Sequence, residues 1–194
     1  FLNQTMSTTT SRFITTALGK NDLEILHKTF CMSMNFHIAI TLFTFIIGES
    51  IGLWFVTNKL IIPEERLTAA LWLYQASVLS TCVNILNVPY NASIIAHENM
   101  GAFAYISIIQ VIAKLIIVLV LPYIPADRLI IFSILTISVS LIIQLIYWQY
   151  SYRKFKETHF KWIWDKYIWK DMSSFASWNI TGDLAYMCNT QGIN

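Results

Sequence analysis

Two ionisable residues lie well inside apolar stretches of this chain. Glu49 stands in FIIGESIGLW and Lys114 stands in IIQVIAKLIIV. A charge in hydrocarbon is costly, so such residues by default mark a transport pathway, a proton relay or a buried pair. Counted along helices at about 1.5 Å per residue, the two side chains reach comparable depths and could pair. A static ion pair that only holds helices together is the structural alternative, and the residues alone leave both open.

A second group of polar residues shares one face of a predicted helix. Asn84, Asn87 and Asn91 recur at spacings of three and four. Three amides beside Pro89, which is expected to bend the helix, favour the wall of a water-filled cavity. A single asparagine in a span can instead hydrogen-bond neighbouring helices. Asp183 in NITGDLAYM is a further pathway candidate, with a polar residue near the membrane surface as its alternative.

The adjacent pair His97 and Glu98 raises the question of acid–base chemistry. Neighbouring helical residues do not face each other, so cooperation between these two is not expected. We interpret them, with Pro89 and Tyr90, as candidates for a cytoplasmic gate; solvation or capping of a helix end is the structural alternative. The sequence holds no phosphate loop, paired Cys or His metal motif, or Gly-x-Ser-x-Gly elbow. It therefore predicts no catalytic residue, metal or cofactor.

The composition favours a membrane protein. Hydrophobic residues make up 56% of the 194 residues, charged residues only 12%, and the mean hydropathy is +0.55. This charged share is about half that of a soluble domain. A net charge of +2 is too small to indicate a nucleic-acid partner. Cys31, Cys82 and Cys188 lack metal-ligand spacing and are interpreted as small buried apolar residues.

Four apolar stretches are long enough to cross a bilayer, which requires about 20 residues. They run over residues 32–56, 67–95, 102–124 and 129–148. The short turn PYIPADR joins the third and fourth stretches and predicts that they are antiparallel neighbours. A weaker segment from residue 173 onward resembles the start of a span that lines something wet. Because the chain begins with Phe1 rather than Met and ends inside this pattern, we expect a fragment of a longer protein.

The distribution of Lys and Arg predicts an orientation. If the first span begins in the cytoplasm, the inside segments hold nine basic residues and the outside loops hold three. The positive-inside rule then places the NVPYNASIIAHENMG turn in the cytoplasm. The nine are Arg12, Lys20, Lys28, Arg153, Lys154, Lys156, Lys161, Lys166 and Lys170, and the three are Lys59, Arg66 and Arg128.

Residues 153–170 show a helical period of a different kind. Five apolar residues recur with helical spacing and form one stripe, while polar and charged residues lie opposite. A basic amphipathic helix rich in Trp is expected to lie in the plane of the lipid headgroups; a surface helix of a soluble domain is the alternative. The stripe consists of Phe160, Ile163, Trp164, Tyr167 and Ile168.

Several segments together resemble a known family. STTTSRFITTALGK, GESIGLWFV, NVPYNASIIAHENMGAFAYISI and NTQGIN look like the first half of an O-antigen or polysaccharide flippase. These flippases belong to the multidrug/oligosaccharidyl-lipid/polysaccharide exporter superfamily, which includes the MATE drug exporters. The resemblance covers essentially the whole chain, and PYNASIIAHE is its most specific element.

The resemblance implies an all-α integral membrane protein with a MATE-like transmembrane helix bundle, of which this chain is a part. Residues 1–150 would be a first-lobe bundle, from the end of the second span to the sixth. Residues 151–172 would be a cytoplasmic amphipathic linker helix between lobes. Residues 173–194 would begin the seventh span, in a second lobe that is truncated here.

The function that the resemblance implies is transport and not catalysis. Such a protein flips a lipid-linked oligosaccharide from the inner to the outer leaflet of the bacterial inner membrane by alternating access. Its expected partners are this substrate, membrane lipids and H+ or Na+ as the coupling ion. A MATE-like cation-coupled drug exporter is the alternative within transport. A membrane enzyme of polysaccharide assembly would require clustered carboxylates, which the sequence lacks.

Overall fold

The described part of the chain is mainly helical. The computed structural model describes the backbone of residues 2–20 and 22–191 and the side chains of residues 7–20, 22–179, 181, 182 and 185. This part of the chain contains no β-strand, which confirms the all-α class. The helices are α1 Leu2–Gly19, α2 Leu23–Ile47, α3 Leu53–Asn58, α4 Glu64–Ala96, α5 Met100–Val120, α6 Arg128–Lys154 and α7 Lys166–Gln191.

Shorter helical turns join some of these elements. A π-helical turn, Gly48–Gly52, connects α2 to α3 without a break. A 3₁₀ turn follows α5 at Leu121–Tyr123, and another follows α6 at Lys156–Thr158. The extent of the helices therefore exceeds that of the apolar stretches: α2 begins ahead of residue 32 and α6 continues beyond residue 148. Hydropathy locates the hydrocarbon-facing part of a helix and not its ends.

Four helical segments of the described chain are long and apolar enough to cross a membrane, as predicted. In the third segment, the 18-residue window has a mean hydropathy of 2.5, yet only 11% of it is buried. A protein in water rarely exposes so much contiguous apolar surface, whereas lipid covers it at no cost. The chain thus has the architecture of a multi-pass membrane protein. The segments are Leu23–Asn58, Glu64–Ala96, Met100–Tyr123 and Arg128–Lys154.

The residues group into two compact units that are each discontinuous in sequence. The terminal unit comprises Phe1–His37, Val88–Met100 and Tyr150–Asn194. The central unit comprises Ile38–Asn87 and Gly101–Gln149. Helices α2, α4 and α6 each contribute to both units. The sequential boundaries expected at residues 150 and 172 remain predictions.

In the terminal unit α1 packs against α7 and α2 through hydroxyl and amide groups. Asn179 donates a hydrogen bond to the Thr9 hydroxyl at 3.1 Å, and Ser33 donates one to the Thr10 hydroxyl at 3.2 Å. Thr9 and Thr10, two residues of the Ser/Thr run of α1, are therefore buried and face these neighbouring helices. Matching of polar groups between helices replaces the hydration that a surface location would provide.

In the central unit α5 and α6 form the expected antiparallel hairpin. The Ser107 side chain, near the start of α5, lies beside Tyr147, near the end of α6. At the opposite end, Arg66 of α4 donates to the Asp127 carboxylate at 3.1 Å, just before α6 begins. The turn between the third and fourth spans is therefore tied to the start of the second.

The amphipathic helix expected over residues 153–170 is wrong. Helix α6 ends at Lys154, residues 159–165 are neither helix nor strand, and α7 begins at Lys166. Asp165 accepts hydrogen bonds from the backbone N–H groups of Tyr167 and Ile168 and so caps the start of α7. We call residues 155–165 the strap. Its backbone bonds to side chains of α2 instead of forming helical hydrogen bonds, so tertiary contacts outweigh the 3.6-residue period.

Candidate functional site

Glu49 lies in the π-helical turn, the one departure from regular helix within the described part of the first span. Tyr74 of α4 donates a hydrogen bond to the Gly48 carbonyl at 2.5 Å, a backbone group that the turn leaves accessible. A Cβ on Gly52 would lie only 2.0 Å from the Tyr74 hydroxyl, so this glycine allows α4 its close approach. Single π turns in helices frequently occur at functional sites.

The Glu49 carboxylate is only half satisfied. One of its oxygens, Oε2, accepts a hydrogen bond from Gln75 Nε2 at 3.1 Å. The other, Oε1, is buried and has no hydrogen-bond partner among the described residues. A buried acceptor without a partner is costly. The arrangement is therefore suited to binding a water molecule or a small cation at Oε1.

The expected pair of Glu49 with Lys114 is wrong. No ion pair of the described residues joins them within 4.0 Å, and Gln75 holds the carboxylate instead. Lys114 is an exposed residue of α5, whereas Glu49 is half-buried. Counting along the helices predicts comparable depths for the two charges. The rotation of each helix about its axis decides which side chains meet.

Other buried oxygens of the central unit also lack a partner among the described residues. Asn84 and Asn87 are both half-buried on α4, and Asn87 Oδ1 is one of these oxygens. Ser80 Oγ and Gln144 Oε1 are two more. In a span, unsatisfied polar groups are unfavourable unless water or a ligand reaches them. The sequence prediction missed Gln75 and Gln144, although each interrupts an apolar run as Lys114 does.

The terminal unit contains Asn91 and all four gate candidates, Pro89, Tyr90, His97 and Glu98. Asn91 is half-buried, and its Oδ1 has no partner among the residues whose side chains are described. Tyr90 is only 7% exposed and packs against the Phe30 ring at 5.6 Å between centroids. Pro89 lies buried inside α4, which continues through it. The bend expected at Pro89 and its role in a gate remain predictions.

Glu98 ends helix α4. Its φ of 57° places it in the left-handed region. Its N–H donates to the Ile95 carbonyl at 2.9 Å, and the Asn99 N–H donates to the Ile94 carbonyl at 3.0 Å. These two bonds form a Schellman cap, in which the left-handed position usually belongs to glycine. The capping alternative is therefore confirmed for Glu98.

His97 pairs with a carboxylate that is distant in sequence. Its Nε2 donates to Glu157 Oε1, sixty positions further along the chain, and its ring stacks on Phe155 at 4.2 Å. Glu157 is only 5% exposed, and its backbone carbonyl accepts a hydrogen bond from His27 Nδ1 at 3.0 Å. Nothing in the local pattern of KFKETHF indicates this partner, because a contact of this range depends on the fold.

The side chain of Asp183 lies outside the described residues, so its candidacy remains a prediction. No described side-chain hydrogen bond or ion pair joins two of the predicted site residues to each other. Within the same part of the chain, no cluster of three or more His, Cys, Asp or Glu residues is suited to a metal ion. Comparison with protein-family models, with curated proteins and with solved structures gives no match for this chain.

Proposed function

We propose that this chain is part of a transporter of the bacterial inner membrane that flips a lipid-linked oligosaccharide to the outer leaflet by alternating access. Its helices would form the first lobe of a MATE-like bundle and the start of the second. An H+ or Na+ gradient would drive the movement. Rocking of one lobe against the other then exposes the same cavity to each side of the membrane in turn.

The observation that carries this proposal is the set of buried oxygen atoms without a described partner inside the candidate spans. A sugar head group must cross about 30 Å of hydrocarbon, and each unsatisfied polar group there costs several kcal/mol. Acceptor oxygens in the spans offset that cost by accepting hydrogen bonds from sugar hydroxyls or from water. In the central unit they belong to Glu49, Ser80, Asn87 and Gln144.

A cation-coupled drug exporter of the MATE type is the second candidate function, and the Glu49 carboxylate favours it. An unsatisfied carboxylate oxygen in a span can bind an organic cation as well as a coupling ion. The two functions differ in the charge and size of the cargo. Each cargo therefore provides a direct test of one function against the other.

The test uses full-length protein in liposomes that contain a lipid-linked oligosaccharide with a reducible fluorophore on its sugar. Dithionite bleaches the label in the outer leaflet of protein-free vesicles. With the protein present, the inner-leaflet label should become bleachable as well. If that label stays protected while ethidium is transported, the drug exporter is the correct function. If neither cargo moves under an imposed H+ or Na+ gradient, both transport functions are wrong.

One matched pair of variants connects transport to the unsatisfied oxygens. Gln144→Leu removes a buried acceptor from α6, and Gln149→Leu makes the same change at an exposed position of that helix. We expect Gln144→Leu to slow flipping at least several-fold, with no loss of thermal stability, because no described hydrogen bond is lost. Gln149→Leu should leave flipping unchanged. Equal rates for both variants would remove the support that Gln144 gives to the proposal.

A further inference from the structure

The strap, residues 155–165, lies along α2 in the terminal unit. His27 donates to the Glu157 carbonyl at 3.0 Å, and Asn35 donates to the Ile163 carbonyl at 2.7 Å. Positions 27 and 35 are eight residues apart, a distance of about 12 Å along a helix axis. The strap therefore runs along the helix and not across it. Both attachments fix its backbone.

Three exposed side chains of the strap are aromatic, and one of them, Trp164, packs on Trp169 of α7 at 4.7 Å between ring centroids. Phe160 is 40% exposed, Trp162 is 72% exposed and Trp164 is 60% exposed, whereas Ile163 between the last two is only half-buried. These three residues, which we call the aromatic row, occupy alternate positions of a segment that follows a candidate span. Exposed Trp is typical of the boundary between membrane and water, where an amphipathic ring is favourable.

The strap and the start of α7 are also basic. Glu157, the acidic residue within the 3₁₀ turn, is buried against His97, and Asp165 accepts backbone hydrogen bonds from α7. The exposed charges on the strap and the first turns of α7 are therefore mostly lysines. Clusters of Lys beside a span bind the anionic headgroups of membrane lipids. These exposed lysines are Lys156, Lys161, Lys166 and Lys170.

We propose that the strap is a lipid-binding wedge, whose aromatic row enters the headgroup layer of a bilayer while its lysines bind anionic lipid phosphates. The apolar part of α2, residues 38–47, follows Asn35, so the direction from His27 to Asn35 points towards the hydrocarbon. Trp164 therefore lies deeper than Trp162, and Trp162 lies deeper than Phe160. The wedge depends on the candidate spans and not on the cargo of the proposed transporter.

Depth measurements on labelled full-length protein test the wedge. Cys31 and Cys82 are buried, so a Cys188→Ser background allows single spin labels at Phe160→Cys, Trp162→Cys and Trp164→Cys. In nanodiscs with phosphatidylglycerol, the ratio of oxygen to nickel-complex accessibility should rise from position 160 to 162 to 164. An amphipathic helix lying flat would instead give positions 160 and 164 similar depths and leave position 162 in water.

Lipid charge is tested in the same samples. Discs of phosphatidylcholine alone should give shallower depths at positions 162 and 164, and inorganic phosphate added to them should not restore the deeper values. Lys161→Gln should reduce the difference between the two lipids at least two-fold. Lys59→Gln, an exposed lysine outside the strap, should not change it. The wedge is wrong if both labels are water-exposed in every lipid, or if free phosphate reproduces the effect of the anionic lipid.

Discussion

At the scale of single residues, the groups that surround a side chain determine what it can do. Gln75 is a neutral donor, so it orients the Glu49 carboxylate without cancelling its charge. The second oxygen is then available to a water molecule or cation. His97, by contrast, has its ring stacked on Phe155 and its Nε2 bonded to Glu157, so its described contacts hold the strap against the end of α4.

The first residue-scale prediction concerns Glu49 and Lys114. Because no described contact joins them, the changes Glu49→Gln and Lys114→Met should alter the free energy of unfolding additively, within about 0.5 kcal/mol. Thermal and denaturant unfolding of the two single variants, the double variant and the parent protein in detergent measures this. A coupling energy well above that value would restore the ion pair.

The second concerns Glu98, whose φ of 57° is unfavourable for a residue with a Cβ. Glu98→Gly should stabilise the protein by about 0.5–1 kcal/mol, because glycine adopts this conformation without steric cost. Glu65→Gly, in the first turn of the same helix, provides the control and should destabilise by about 1 kcal/mol. Unfolding midpoints compare the two. A lower midpoint for Glu98→Gly would mean that the exposed carboxylate contributes more than the backbone strain costs.

At the scale of elements, contacts between segments decide two departures from regular helix. The π turn has the Tyr74 hydroxyl bonded to its Gly48 carbonyl, and the strap has its backbone bonded to α2. In both cases a side chain of one helix bonds a backbone carbonyl of another segment. The bond to Ile163 takes the place of a bond within a helix. The Gly48 carbonyl, by contrast, also accepts from the Leu53 N–H, so Tyr74 adds a second bond to it.

The element-scale prediction uses the contact between Gly52 and Tyr74. Alanine normally stabilises a helix by about 1 kcal/mol relative to glycine, but its Cβ here would lie 2.0 Å from the Tyr74 hydroxyl. Gly52→Ala should therefore destabilise the protein by about 1–3 kcal/mol. In a Tyr74→Phe background the cost should be much smaller. Gly101→Ala, which meets nothing within 4 Å, is the control and should not destabilise. Equal effects at the two glycines would contradict the close approach.

At the scale of the whole molecule, apolar surface dominates the described spans and requires lipid around it. The orientation in that lipid follows from the nine-to-three distribution of basic residues. Positive charge is retained on the cytoplasmic side during insertion. The loop between α3 and α4 should then face outward, and the end of α4 and the strap should face the cytoplasm.

Cysteine labelling of intact cells with a membrane-impermeant reagent tests this orientation. Cysteines placed at Asn58, Glu65 and Ala126 should react from outside, because these exposed positions lie at the outer ends of the spans. Cysteines at Glu98 and Lys161 should react only after the membrane is permeabilised. The reverse pattern would invert the topology and place the strap outside the cell.

Features that depend on local chemistry were accessible from the sequence alone. A span must satisfy its backbone hydrogen bonds internally and reach across the hydrocarbon, so four long apolar runs were sufficient to predict four spanning helices. The short PYIPADR turn predicts that its flanking helices are antiparallel neighbours, and Ser107 near the start of α5 does lie beside Tyr147 near the end of α6. The sequence also allows Glu98 to cap a helix end, and the structure places it at the end of α4 with a φ of 57°.

Features that depend on which faces meet were decided only by the tertiary structure. Depth along a helix can be counted from the sequence, but its rotation cannot, so Glu49 contacts Gln75 and not Lys114. The partner of His97 stands sixty positions away, beyond the reach of any local pattern. The helical spacing of apolar residues over 153–170 predicts a helix. A helix forms only where its backbone groups bond each other and not the side chains of another segment. Asn35 supplies such a side-chain partner for the Ile163 carbonyl, and residues 159–165 form no helix.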